Sequence, residues 1–284
     1  MFAKPLNSIY VSMSSVAPPG FVVTLIPAFI ENGKYFAAWQ HEFFGTLLMI
    51  LLTFSPGKWI GVGSQAFEWA VHACGVVAAD KIGGGPHVNP SVSVCMFALG
   101  KCTYTEAVVR ISGAMAGGLL TFPLAKVISD SLGLTPLGGP EYSADSLTGD
   151  ASSGIYNEFF ATFFLLVTIF VLNFEMNFGH YHYWIKQFST AAAIRYLIVI
   201  FGASGPAMNP MLGTTWAVFA SSGDHFPTDP VHYIVYWVAS ALGGLLASLL
   251  YVIYAGGTFF GYSIPLGPIK KGVPEVTVAS KKKK

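Results

Sequence analysis

Apolar residues fall along this chain in long blocks, without the short alternation of strands or the one-sided stripe of a surface helix. Blocks at about 36–56, 63–82, 104–128, 155–174, 187–203 and 231–255 approach the roughly 20 residues that cross a hydrocarbon core, with Pro, Gly or charged clusters between them. They predict six transmembrane helices. Two further apolar pieces, at about 88–99 (HVNPSVSVCMFAL) and 208–220 (MNPMLGTTWAVFA), are half that length. Polar backbone cannot face lipid unsatisfied, so a half-length segment at membrane depth has to be buried in protein or line a water-filled cavity. Pro18, Pro19 and Pro27 interrupt residues 16–30, which read as interfacial, and no cleavable leader is evident.

Composition narrows the function classes. The 284 residues are 53% hydrophobic and 10% charged, far from ordinary soluble usage. A net charge of +1 leaves no broad basic surface for nucleic acid. With 31 Gly against only two Arg (Arg110 and Arg195), the chain suits close helix packing in lipid. Cys74, Cys95 and Cys102 have neither CxxC nor Cys/His ligand spacing, so neither a zinc site nor a disulfide framework follows. No HExxH, no GxSxG and no paired aspartates occur in the spans, which argues against an intramembrane enzyme, and nothing calls for a cofactor.

The halves of the chain repeat each other. Glu42-Phe43-Phe44-Gly45-Thr46 matches Glu158-Phe159-Phe160-Ala161-Thr162, Gly85-Pro86-His87-Val88-Asn89-Pro90 matches Gly205-Pro206-Ala207-Met208-Asn209-Pro210, and Gly117-Gly118-Leu119-Leu120 matches Gly243-Gly244-Leu245-Leu246. The Glu-to-Asn spacing is 47 in the first half and 51 in the second. An odd number of spans per half makes the two halves enter the membrane from opposite sides, an inverted repeat. Between them, residues 129–154 carry Asp130, Glu141, Asp145 and Asp150 and no Lys or Arg, and read as an exposed connection. Lys270, Lys271 and Lys281 to Lys284 crowd the C-terminal tail, so both termini are expected in the cytoplasm.

Asn is a leading N-cap and Pro suits the first helical position, so each Asn-Pro begins a short helix. Inverted copies bring the two N-termini, with their partial positive charge, together near the bilayer midplane. There the Asn89 and Asn209 amides can cap their own helices through oxygen and leave NH₂ free to donate into a pore, orienting water and raising a barrier to cations and protons.

With both GPxxNP boxes on paired half-length segments, residues 36–255 resemble the aquaporin, or major intrinsic protein, family. The resemblance implies an all-α fold of six transmembrane helices plus two re-entrant half-helices in an inverted 3+3 repeat. Repeat one then occupies about 36–128 and repeat two about 155–255, flanked by an N-terminal segment 1–35 and a basic tail 256–284. It also implies a homotetramer with one pore per protomer in the lipid bilayer, passing water or a small neutral solute. The motif boxes are Asn89-Pro90-Ser91 and Asn209-Pro210-Met211, where the family usually has Ala third. The family's selectivity arginine falls on Leu212, and its other filter positions fall on Trp69, Leu197 and Pro206. Beyond the Trp69 indole N–H, such a ring lacks the donors that would replace lost hydration. The nearer likeness is to the unorthodox branch, the small basic intrinsic proteins of plants and the endoplasmic-reticulum aquaporins of animals.

Ionisable residues inside spans are functional suspects. Glu42 and Glu158 match the family's repeated glutamates, which resemble buried acceptors for loop N–H groups, a scaffold role. Arg195 either restores a positive group near the pore or, the preferred reading, pairs with a carboxylate between helices. His87 stands at the pore mouth by family position, where it acts on passage or merely bonds the loop. His180 and His182 read as exposed loop histidines, and Asp80 and Lys81 as residues that pair or are solvated at the interface rather than carry substrate. Lys281 to Lys284 resemble a dilysine retrieval signal of the endoplasmic reticulum, or equally a solvated tail drawn to anionic lipid. A passive channel is thus expected. The competing classes are a closed or junctional membrane scaffold, which absence of flux would support, and a coupled secondary transporter, which would want acidic residues at a central site.

Overall fold

The computed structural model describes residues 33–54, 64–134, 138–140, 151–202, 205–221 and 225–270. The interfacial segment 16–30, Glu141, Asp145, Asp150 and the terminal lysines lie outside them.

Helices α1 (Gly33–Thr53), α2 (Gln65–Gly83), α3 (Pro90–Ala98) and α4 (Tyr104–Leu132) form the first half. Helices α5 (Ala151–Glu175), α6 (His182–Ile200), α7 (Pro210–Ala220) and α8 (Pro230–Ala255) form the second. Of these, α4, α5 and α8 are long and apolar enough to cross a membrane on length and composition. Local chemistry sets the ends. The Ser64 and Thr103 hydroxyls accept from the amides of Phe67 and Glu106, and Gly84 and Gly133 close α2 and α4 at φ of 81° and 64°, a left-handed turn that glycine adopts without steric cost. Helix α6 begins at His182, five residues before the expected 187, because its polar first turn finds partners: Tyr183 donates to Asp80 (2.8 Å) and Lys186 to Asn173 (2.8 Å). His182 is therefore helical, with its ring stacked on Phe178, and His180 lies in the 3-10 turn Gly179–Tyr181 just ahead of it.

Glycine lets the long helices touch. A Cβ at Gly113 or Gly117 of α4 would stand 2.6 Å from the carbonyl oxygens of Trp39 and Phe43 on α1, and one at Gly243 of α8 would collide with the Phe159 carbonyl of α5. Phe43 and Phe159 are equivalent in the two repeats, so the same helix pair is closed by the same device twice. Each half-helix then packs into the opposite repeat. Val92 and Cys95 of α3 share a core with Ala161, Leu165, Leu166 and Phe170 of α5 and Ala247 of α8. Met211, Leu212 and Trp216 of α7 share the other with Ile50 of α1 and Ala114 and Phe122 of α4.

Two expectations change. Residues 256–270 are not a free tail: Thr258–Phe259 (β1) and Tyr262–Ser263 (β2) make a small antiparallel hairpin whose Phe260 amide donates to the Ala98 carbonyl at the end of α3 (2.8 Å). The chain then runs back along α8, with Lys270 N bonded to Tyr254 O (2.9 Å), and the Glu175 carboxylate bonded to its side chain holds the Lys270 ammonium above the ordinary lysine range. Nor is the whole 129–154 connection merely exposed. Gly139 lies so close against the Trp216 ring that a Cβ there would overlap it.

Gly243→Val forces a branched side chain between α5 and α8 and is expected to lower stability by about 2 kcal/mol or more. Gly33→Val, with nothing within 4 Å of its Cβ position, is the matched control. Thermal unfolding of the detergent-purified protein, equal for the two variants, would refute this packing.

Candidate functional site

The two half-helices meet end to end through one mutual hydrogen-bond set. Asn89 and Asn209 are the N-caps of α3 and α7, and their side-chain oxygens accept from the amides of Ser91 (2.9 Å) and Met211 (3.1 Å). Each then reaches across to the other repeat: Asn89 Nδ2 donates to the Met208 carbonyl (2.7 Å) and Asn209 Nδ2 to the Val88 carbonyl (2.8 Å). To present those carbonyls, Val88 and Met208 both sit at φ of 50°, in the left-handed region. A β-branched residue there is a clear outlier, costing on the order of 1–3 kcal/mol, which the surrounding bonds must over-determine. The expected donor count is corrected accordingly. One of the two N–H groups of each Asn is committed to the facing loop, and one remains for the cavity.

Glu42 and Glu158, both fully buried, hold these loops from behind. Glu42 accepts from the amides of His87 and Val88, each at 2.7 Å. Glu158 accepts from the amide of Ala207 (3.0 Å). A carboxylate at this depth is costly unless partnered, and the repeats partner it differently. Arg110 of α4 bonds Glu42 at 2.8 Å and also pairs with Glu106, whereas Glu158 receives the Ser240 hydroxyl at 2.8 Å. Sequence reading missed Arg110. A lone arginine in the third span, in a chain with two, was the available signal.

Between the loops runs a cavity of about 800 Å³ with both Asn89 and Asn209 on its wall. At one mouth stand His87, Asp80, Lys101, Tyr183 and Lys186. His87 lines the cavity and makes the loop bond considered for it, to Ser93 through Nδ1 (3.0 Å). Asp80 and Lys81 do not pair with each other: Asp80 takes the Tyr183 hydroxyl, and the Lys81 ammonium lies over the Tyr183 ring, 4.9 Å from its centroid. At the other mouth stand Thr53, Phe54, His72, Arg195 and the segment 138–140.

Placement of the remaining predicted residues is uneven. Pro206 and Leu212 line the cavity, whereas Trp69 and Leu197 are not on its wall. Leu197 is buried in the α5–α6 core, and the residues that face inward from the last two turns of α6 are Ile194, Arg195 and Ile198. Counting back from the motif Asn residues fails because the loops ahead of them need not match the family's in length. A shift of one to three positions turns a helix by a large fraction of a turn. From α2 it is His72, three residues beyond Trp69, that faces the cavity. Pro90, Ser91, Pro210 and Met211 are off the wall too. They are buried at the helix starts, with Met211 Sδ seated where Gly118 has no side chain. Arg195 joins its two readings, since it lines the cavity and pairs loosely with Glu68 (3.9 Å).

Asn209→Ala strips the Val88 carbonyl of its donor and α7 of its cap, an expected loss of about 1–3 kcal/mol. Because both cross-bonds hold the same two loops, Asn89→Ala with Asn209→Ala should cost less than the sum of the single variants. Unfolding titrations of the four proteins check this, and strict additivity would refute the clasp.

A family model described as Major intrinsic protein matches residues 30–251. Aquaporin SIP1-1 of Arabidopsis thaliana is 34% identical over 116 residues, 40% of this chain and 43% of that protein, so the match spans less than half of that relative's length. Aquaporin PIP1-1 of Arabidopsis thaliana is 27% identical over 247 residues, 80% of this chain and 82% of that protein. Among solved structures, the aquaglyceroporin from Plasmodium falciparum has the same fold, with a TM-score of 0.61 at 20% identity over 76% of this chain and 95% of that one. On the match across residues 30–251, the chain belongs to the major intrinsic protein family and is a membrane channel, not an enzyme.

Proposed function

We propose that the chain is a passive channel for water and small neutral solutes, which turns back protons and cations at the paired Asn-Pro half-helix N-termini. The observation that carries the reading is the crossed Asn89–Met208 and Asn209–Val88 bonding on the wall of one cavity. Two helix N-termini face each other there, their partial positive charges opposing a cation from both sides. One amide N–H from each Asn is left to donate to a passing water. A water whose oxygen faces two fixed donors cannot at the same moment accept from and donate to its neighbours in file, so a proton relay is broken at that point. The carboxylates belong to the scaffold: Glu42 and Glu158 use their oxygens on loop amides, Arg110 and Ser240.

The proposal extends to arrangement in the membrane. Both termini face the cytoplasm, the protein assembles as a homotetramer, and Lys281 to Lys284 retain it in the endoplasmic reticulum. Supporting assembly, large apolar side chains such as Phe44, Leu120, Phe164 and Val199 are exposed and need lipid or a second copy as cover. Terminal epitope tags in sealed microsomes should be cut by added protease; protected tags would reverse the orientation.

The central test is stopped-flow light scattering on proteoliposomes of the purified protein, shocked with an impermeant osmolyte and then with glycerol. Shrinkage is expected to be at least tenfold faster than in empty liposomes, and Asn209→Asp, which replaces the donor by a carboxylate facing the Val88 carbonyl, should slow it several-fold. Rates equal to empty liposomes in both shocks would overturn the channel reading and move the closed scaffold to first place.

A further inference from the structure

Three ammonium groups are left over once the Asn pair and the buried glutamates are accounted for. Of the six lysines among the described residues, Lys34, Lys126 and Lys270 pair with Glu106, Asp130 and Glu175. Lys81, Lys101 and Lys186 have no carboxylate partner among those residues. Lys101 and Lys186 line the mouth at which His87 stands, and Lys81 lies against Tyr183 on its rim. Aromatic rings and one amide hold them there. Lys101 lies over the Phe174 ring (5.1 Å to its centroid), Lys81 over Tyr183 (4.9 Å), and Lys186 donates to Asn173 Oδ1 (2.8 Å) at 6.0 Å from the same Tyr183 ring. Asp80, the carboxylate on this wall, accepts the Tyr183 hydroxyl (2.8 Å), and nearby Glu175 is taken by Lys270 and Tyr251. The mouth therefore keeps a positive excess, with ammonium donors not spent on any anion.

The surroundings say which anion suits it. At the same end, Ile82 (70% exposed), Tyr181 (65%), Trp184 and Met176 turn large apolar side chains outward. Lysines beside exposed aromatic and aliphatic side chains at helix ends make the composition of a membrane–water interface, where charged heads meet phosphates and rings sit at headgroup level. A free anion in water has no use for such an apolar rim, whereas an amphiphile with a phosphate head fits both parts. Lysine binds phosphate as a point charge, without the fixed fork of a guanidinium, so three lysines on α2, the α3–α4 turn and α6 suit a mobile headgroup. Basic pockets between spanning helices take anionic headgroups in this way. The opposite mouth has no lysine on its wall, and Arg195 there is matched by Glu68.

We propose that Lys81, Lys101 and Lys186 form a binding site for the phosphate of an anionic phospholipid, which restricts passage through this mouth when it is filled. The site lies at the end of the molecule that carries the C-terminal hairpin, the end read above as cytoplasmic, whose leaflet holds the anionic lipids. The restriction of passage rests on the channel reading; the binding of lipid does not.

Native mass spectrometry of the full chain, released from micelles containing phosphatidic acid or phosphatidylcholine, reads the site without any flux. Phosphatidic acid should be retained saturably and phosphatidylcholine should not. Lys101→Gln with Lys186→Gln should weaken retention about tenfold or more, because each lysine near the phosphate contributes a comparable share. Lys101→Arg with Lys186→Arg, which keeps both charges, should stay within about threefold of the wild type. Lys126→Gln, which removes an exposed lysine already paired with Asp130, should change nothing. Retention unaltered in the Gln double variant overturns the site, and displacement of the lipid by inorganic phosphate at matching concentration overturns the lipid in favour of a soluble anion. In proteoliposomes, adding phosphatidic acid to phosphatidylcholine should slow osmotic shrinkage of the wild type about threefold and leave the Gln double variant unmoved. Slowing of equal size in both proteins overturns the restriction. Vesicles that pass no water, together with saturable retention, would sink the channel reading and leave the lipid site standing.

Discussion

Irregular backbone at bilayer depth is tolerated only where protein satisfies it, and in this chain that constraint falls on two short loops, 84–89 and 205–209. Their solution is mutual. The Val88 and Met208 carbonyls, turned out by left-handed backbone, are each bonded by the asparagine of the other loop. The neighbouring amides go to Glu42 and Glu158. Neither loop is satisfied without its counterpart, so the two half-helices and the long helices carrying the glutamates form one cooperative unit. The cavity runs along that unit, with both Asn caps on its wall.

Symmetry in this fold is one of position rather than of residue. Gly117 and Gly243 admit equivalent carbonyls, and Gly118 and Gly244 leave room for Thr215 and Cys95, each six residues after its motif Asn. Glu42 and Glu158 do the same work, but one is met by a guanidinium and the other by a hydroxyl. An ion pair and a neutral hydrogen bond meet the same need because each fills the lone pairs the loop amides leave open. The third motif residue varies for a related reason. Ser91 and Met211 face protein rather than the cavity, so their identity is governed by what they pack against.

The two mouths differ where the centre does not. One gathers Lys101, Lys186, Tyr183 and Asp80, long polar side chains that reach from the helix ends and bond among themselves or lie over rings. The other carries Thr53, Phe54, His72 and Arg195, with Glu68 3.9 Å from the Arg195 guanidinium and Gly139 pressed on Trp216. The cavity wall thus differs in chemistry on the two sides of a nearly symmetric clasp.

How much of this was legible beforehand follows from range. Span length, the Asn-Pro helix starts, the repeated Gly-Gly pairs and the membrane class are local or periodic properties, and the amino-acid sequence by itself determined them through hydrocarbon thickness, capping chemistry and backbone sterics. The glutamates were legible as scaffold through their match to the family's repeated pair. Which partner each found, Arg110 or Ser240, was not. Nor was the inward face of α2 and α6, where counting pointed to Trp69 and Leu197 and packing turned His72 and Arg195 to the cavity instead. Helix rotation depends on how ridges from one repeat seat in the other, a contact between residues more than a hundred positions apart. Only the tertiary structure decides that, because a single residue's error in phase swings a side chain by about 100°.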